Sequence, residues 1–403
     1  MGIGGVFRDR NASVYLGAVV VSSFGSGAMS LAAGVWVMTL TDNSSLAALV
    51  MVLLWAPTLA GPFIGAAIDR IGRHRAVLVG TMAGTGALML TLVAVRSAAW
   101  LWLLFTVMFI YGIAYVAIFA AESALLPLVV PPTLLGDVNG LRMSAAESTK
   151  LIAPLVGAGL FTAWGGGAVA LLDAVSFGIA ALLCLLMKPV RAAPVKRERI
   201  RVRDGLRYLA EMVHLRRVVV SAGVALVLAG FASTMTFALI DEGLGLAPAF
   251  VGVLAAVQGT GSVVSGLVAG AVLRRLSPLG FAAIGLALFA IGVLLRMTSL
   301  LPLVLIGSVV GGLGLPAPLV AATTTMQLDS PPELLARITG SVQLVMYAPN
   351  ALAQALGAVV VGFVDFRVSL AVVGVVGLVA AGWAAWTVLG SREDRSRAPV
   401  VSS

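Results

Sequence analysis

The sequence predicts an all-α membrane protein of twelve transmembrane helices arranged as two six-helix halves. Three observations lead there. Hydrophobic residues make up 60% of the 403 and charged residues 11%, where a soluble globular chain averages about 45–50% and about 25%. Apolar runs of the length a bilayer demands, about 20 residues, recur along the whole chain. The basic residues also collect in alternate loops. Of the 26 Lys and Arg, all but Arg96, Arg296, Arg367 and Lys150 fall in segments that a twelve-span reading puts on one side. Cytoplasmic loops of helical membrane proteins carry this excess. Both termini are therefore expected inside, with the chain multi-pass in the cell's inner (plasma) membrane. A soluble enzyme is excluded, and the net charge of +9 reflects topology rather than nucleic-acid binding.

The elements follow in order. Residues 1–13 are short and polar, and span one, roughly 14–40, carries Ser22, Ser23, Ser26 and Ser30. After an outer turn, span two covers roughly 46–66, and a charged turn leads to span three, roughly 76–95. Arg96 and Ser97 mark the next outer turn, and span four covers roughly 100–121. A cytoplasmic segment, 122–140, is expected from Glu122 and from Pro127, Pro131 and Pro132. Spans five (roughly 141–163) and six (roughly 168–187) complete the first half, 1–187.

The linker 188–217 holds ten Lys and Arg. Within it Leu206, Leu209, Met212 and Val213 recur at helical spacing, which predicts an amphipathic helix lying on the inner leaflet or in solvent. The second half, 218–391, holds spans seven to twelve, roughly 218–240, 249–273, 279–295, 301–325, 338–362 and 368–389; the tail 392–403 is expected to be disordered. Asp241 and Glu242 end span seven. The single Cys184 allows no intrachain disulfide, and His74 and His214 lie far apart. No metal site or cofactor is expected, and with no lysine after any glycine there is no GxxxxGK[ST] phosphate loop.

The stretch GAAIDRIGRHR, Gly65 to Arg75, carries the most specific signal. Its glycine permits close helix approach, and an acid in the turn suits the positive end of another helix. Gly65, Asp69, Arg70, Gly72, Arg73 and Arg75 together resemble the loop between the second and third helices of the major facilitator superfamily. The resemblance covers the whole chain and implies two six-helix bundles that transport by alternating access. It implies that this loop is a conformational latch, with Asp69 near the start of span eleven, around Ile338 to Ser341. Arg70, Arg73 and Arg75 are then expected to hold acids in neighbouring loops, Asp137 among them. Positive-inside anchoring alone would account for the arginines.

Span five contains LIAPLVGAG, Leu151 to Gly159. Ala153, Pro154, Gly157 and Ala158 are similar to the proline-containing signature of the antiporters in this superfamily, which implies export. A kinked, closely packed span is the plainer reading. The ALLP turn (124–127), the LLDAVSF run (171–177), the DGLRYL helix (204–209) and Gln327 to Arg337 are similar to the macrolide-efflux and enterobactin-exporter branch.

Acids inside a bilayer are functional candidates by default. Glu147 and Asp173 are the candidates for proton coupling, Glu147 sharing a helix face with Lys150, which can neutralise it. Asp173 can equally be structural. Tyr111, Tyr115, Phe237, Gln258, Gln343, Tyr347 and Asn350 fall on spans that line the cavity in the resembled family. With Met29, Trp36 and Phe231 they suggest a roomy, mostly apolar cavity. The expected activity is export of amphipathic drugs or natural products, driven by protons. A lipid or glycolipid flippase and a nutrient symporter are the alternatives. The expected partners are a small amphipathic substrate, protons and the bilayer, with the chain working as a monomer.

Overall fold

The computed structural model describes residues 3–41, 43–188, 203–246, 250–298 and 300–397. Helices are the regular structure throughout these residues, as the apolar composition demands, because in lipid every backbone N–H and C=O must be satisfied internally. In chain order they are α1 (Ile3–Arg8), α2 (Arg10–Thr41), α3 (Ser44–Trp55), α4 (Gly61–Ile71), α5 (His74–Thr91), α6 (Leu101–Val129), α7 (Leu135–Trp164) and α8 (Gly166–Leu186). Then come α9 (Arg203–Glu211), α10 (Val213–Thr234), α11 (Thr236–Ala238), α12 (Val251–Leu273), α13 (Pro278–Arg296), α14 (Leu301–Gly314), α15 (Pro316–Asp329), α16 (Leu335–Val360) and α17 (Phe366–Arg397).

Among the described residues ten helical stretches are long and apolar enough to cross a membrane. The expected spans five and eleven correspond to α7 and α16. Both are long enough, at 30 and 26 residues, but polar side chains such as Arg142, Glu147 and Lys150 on α7 and Gln343 and Asn350 on α16 dilute their apolar character. Span two is broken by the short turn Ala56–Ala60 around Pro57, and span ten divides into α14 and α15 just ahead of Pro316. Pro154 and Pro349 stay inside continuous helices.

One expected boundary is corrected. The sequence predicts a cytoplasmic segment from Glu122, whereas α6 continues through ALLP to Val129. Pro127 sits in the last turn and cannot donate to the carbonyl four residues back, a loss that membrane helices tolerate when other groups satisfy the freed carbonyl. Residues 392–397, expected in the tail, continue α17, while 398–403 and most of the basic linker, 189–202, lie outside the described residues.

The chain divides into two compact units. The first comprises Met1–Met212 with Met326–Leu344, and the second Val213–Thr325 with Val345–Ser403. In the first, α2 packs along α7 and α8, and α5 along α8 and α6. In the second, α13 packs against α17 and α14, α12 against α14, and α10 against α13 and α17. Its apolar core includes Met235, Leu239, Leu254, Phe289, Val304 and Phe366.

Candidate functional site

Two places in the first unit concentrate polar chemistry. The first lies at the end of α4. The helix stops at Gly72, whose φ of 67° is the left-handed turn that glycine takes at little cost. One turn earlier, Asp69 is buried, its side chain 0% exposed. Its Oδ1 accepts the Ala336 backbone N–H at 3.1 Å, and its Oδ2 accepts the Arg337 backbone N–H at 2.9 Å and Arg337 Nε at 3.1 Å. The two backbone N–H groups are orphan donors of the first turn of α16, where the helix dipole also favours an anion. The contacts, at Ala336 and Arg337, fall two and one residues before the Ile338–Ser341 expectation.

Small residues make this approach possible. A Cβ on Gly61 would lie 2.8 Å from the Gly340 carbonyl oxygen, and one on Gly65 would overlap the Ala336 carbonyl. Gly61 and Gly65 thus face Ala336 and Gly340, a small-xxx-small pairing on both helices. Arg337, 5% exposed at its side chain, also donates through Nη1 to Asp204 Oδ2 on α9 at 3.0 Å. Two further bonds tie the end of α15 to α9 and to α7. Tyr208 Oη donates to the Asp329 carbonyl at 2.9 Å, and Asn139 Nδ2 to Gln327 Oε1 at 2.7 Å.

The expected roles of the loop arginines change accordingly. Arg70 and Arg73 are exposed, and Arg75 donates to the backbone carbonyls of Cys184 and Leu185 on α8 rather than to an acid. The cation that meets Asp69 is Arg337. Sequence reasoning missed it because the two are 268 positions apart.

The second place is a cavity of about 300 Å³ within the first unit. Three helices present stripes at helical spacing: Val19, Ser22, Ser23, Ser26, Gly27 and Ser30 on α2; Tyr111, Ala114, Tyr115, Ile118, Phe119 and Glu122 on α6; Arg142, Ala146, Thr149 and Lys150 on α7. Trp55 meets Tyr115 edge-on at 5.7 Å, and Phe177 meets Tyr111 at 5.8 Å. The hydroxyls of Ser22, Ser26 and Ser30 donate back to carbonyls of their own helix, so they offer a ligand oxygen acceptors. The Arg142 guanidinium lies over the Phe119 ring, 5.0 Å from its centroid, a cation–π arrangement. The wall is mainly apolar and aromatic, with a few polar groups, the usual make-up of a small-molecule site.

Glu122, expected at the start of a cytoplasmic segment, is part of α6. It is buried on the cavity wall and accepts a hydrogen bond from Tyr15 Oη at 3.3 Å. The signal was in the sequence: Glu122 lies eleven residues after Tyr111 and seven after Tyr115, three turns along one helical face. Glu147 is not on the wall; its Oε1 accepts from Lys150 Nζ at 2.6 Å. Asp173 is fully buried between α8 and α2, where a Cβ on Gly25 would lie 2.5 Å from its Oδ1. Ser176 donates to that oxygen at 3.3 Å, while Oδ2 has no partner. The buried Tyr111 hydroxyl faces Ser26 and Asp173 without reaching hydrogen-bonding geometry with either.

The structure brings Tyr111 and Tyr115 together on the wall. Gln343, buried on α16, belongs to the first unit but not to this wall; Gln258, Tyr347 and Asn350 belong to the second unit. The side chain of Phe237 lies outside the described set. Met29 and Trp36 are packed in the core. Pro154 and Gly157 sit where α7 crosses α2, and a Cβ on Gly157 would lie 2.7 Å from the Ala28 carbonyl oxygen.

Comparison with known proteins agrees with this architecture. The human organic anion transporter MFSD10 (TETRAN) superposes with a TM-score of 0.75 at 14% identity, over 93% of this chain and 99% of that one. A bacterial homologue of the iron transporter ferroportin gives 0.74 at 16% identity over 92% and 97%, and the E. coli fucose:proton symporter FucP gives 0.71 at 12% over 92% and 98%. At such identities the likeness is one of fold. Among curated proteins, macrolide efflux protein A of Enterococcus faecalis is 29% identical over 131 residues, which is 32% of this chain and 40% of that protein. The chain therefore spans well under half the length of this relative. The model of the Major Facilitator Superfamily matches residues 15–240 and again 219–402. With a helical membrane fold shared with solved transporters and a family match across both halves of the sequence, the chain belongs to the Major Facilitator Superfamily.

Proposed function

We propose that the protein is a secondary active transporter that exports amphipathic drugs or natural products by alternating access, as a proton antiporter of the cell membrane. The observation that carries this reading is the cavity wall. Tyr111, Tyr115, Trp55, Phe119 and Phe177 offer aromatic faces, the α2 serines offer acceptors, and charged groups are few. Such a surface suits a bulky, largely apolar molecule better than a sugar or a dicarboxylate, which would need a dense set of hydrogen-bonding partners. The partial similarity to a macrolide efflux protein and the small-residue crossing of α7 on α2 support the direction of transport. In this reading the Asp69–Arg337–Asp204 cluster is the latch, made in one state of the cycle and released in another.

The test is an accumulation assay in a pump-deficient host expressing the full chain, across macrolides, ethidium and other amphipathic compounds, with and without a proton uncoupler. Lower accumulation that the uncoupler abolishes is the expected result. Unchanged accumulation across the panel would refute export, and lowered accumulation that ignores the uncoupler would refute proton coupling.

A further inference from the structure

A carboxylate that couples proton movement to transport must meet two conditions at once. It must sit where water and ligand reach it, and it must be held so that its charge is costly enough for a proton to matter. Three acids of the first unit, Glu122, Glu147 and Asp173, divide on these conditions. Glu147 fails the second, because Lys150 already neutralises it at 2.6 Å and that lysine is 68% exposed. Asp173 fails the first: it is 0% exposed, walled off by α2 at Gly25, and is not on the cavity. Glu122 meets both. Among the described residues it is the acidic side chain on the cavity wall, and it is largely withdrawn from solvent.

We propose that Glu122 is the proton-carrying residue of the transport cycle, resting on the antiport reading above. Its surroundings are those of a group that can change charge in place. From α2, Tyr15 donates to it across 3.3 Å, long for an O–H···O bond and so a weak hold. From α7, Arg142 bears on it electrostatically while stacked over Phe119, so the cation has a second partner when the carboxylate is neutral. From α8 the buried Cys184 faces it, and Tyr115 lies on its own helix. The step is a simple proton transfer. The Glu122 carboxylate takes a proton from a hydronium ion in the cavity, giving the carboxylic acid and water, and it returns the proton when the cavity communicates with the other side. The ligand and the proton then compete for one wall.

Two measurements on the full chain in liposomes test this. The first needs no ligand: infrared titration of the protonated-carboxyl band in the parent protein and in Glu122→Gln, Glu147→Gln and Asp173→Asn. A titrating band lost only in Glu122→Gln is expected; a band that survives that change overturns the proposal. The second follows ethidium. Glu122→Gln should abolish movement driven by a pH gradient and retain ethidium counterflow, whereas retained gradient-driven movement overturns the assignment. Should Glu122→Gln fail to fold, Tyr15→Phe leaves the carboxylate in place, and the proposal requires it to displace the pH midpoint of ethidium transport. A Glu122 with a purely structural role would leave that midpoint where it was. If the parent protein moves no ethidium under a gradient, the antiport reading fails, and the infrared titration still decides whether Glu122 binds the proton.

Discussion

At Asp69 a single carboxylate accepts three N–H donors in a site closed to solvent. A buried ion pair is not by itself strongly stabilising, since desolvating both ions offsets their attraction. Removing one partner, however, costs roughly 3–5 kcal/mol because the other is left uncompensated. Asp69→Asn and Arg337→Gln should each impair efflux, normalised to membrane expression, and the double variant should be no worse than the poorer single one. Asp204 differs: its side chain is 40% exposed, and an ion pair open to water is worth about 1 kcal/mol or less. Asp204→Asn should therefore weaken transport far less than Asp69→Asn, and equal losses would contradict this ranking. Asp69 stands out in the sequence as an acid in a charged stretch between two apolar runs, and the family resemblance points it at the start of span eleven. Its partner does not, because no local pattern points to a residue on another helix hundreds of positions away.

At the scale of the element, helix crossings decide where substitution is tolerated. On α7 two glycines one half-turn apart differ sharply. A Cβ on Gly157 would press on the Ala28 carbonyl, whereas one on Gly159 would meet nothing within 4 Å. Gly157→Leu should reduce both the folded yield and transport, and Gly159→Ala should leave both unchanged; purification yield and efflux in the two variants check this. Gly65→Leu should act like Gly157→Leu, by forcing α4 off α16. Helix identity and approximate extent were readable from hydrophobicity, because each span must present about twenty apolar residues. The helix ends were less so. Glu122 and Pro127 look like a membrane boundary in sequence, yet the helix runs on to Val129, with the acid facing an internal cavity and the proline tolerated despite its missing donor. The same error hid Glu122 as a cavity residue, although its spacing from Tyr111 and Tyr115 already placed it on their face.

For the whole molecule, the charge bias remains the basis for topology. In a Cys184→Ala background, cysteines introduced at Ser44 and Ser396 should react with an impermeant maleimide from opposite sides of the cell membrane. Labelling of both from outside would overturn the expected orientation. The sequence divides the chain at the basic linker and carries no sign that Met326–Leu344 belongs with the first unit. Hydropathy reports how a helix meets lipid and is silent about which helix end meets which carboxylate.

The distance in sequence between Asp69 and Arg337 also has a consequence in time. The ribosome adds about 5–20 residues per second, so the 268 residues that separate the two take on the order of 10–50 s to make. Throughout that interval a nascent first half carries Asp69, Gly61 and Gly65 with neither the α16 backbone nor the guanidinium to cover them. The protein's first half is thus born incomplete, and its biogenesis must shelter an uncovered acid and a bare glycine groove until α16 has been made. A chain truncated before residue 326 should accordingly be degraded, and co-expression of the missing segment as a separate fragment should rescue it.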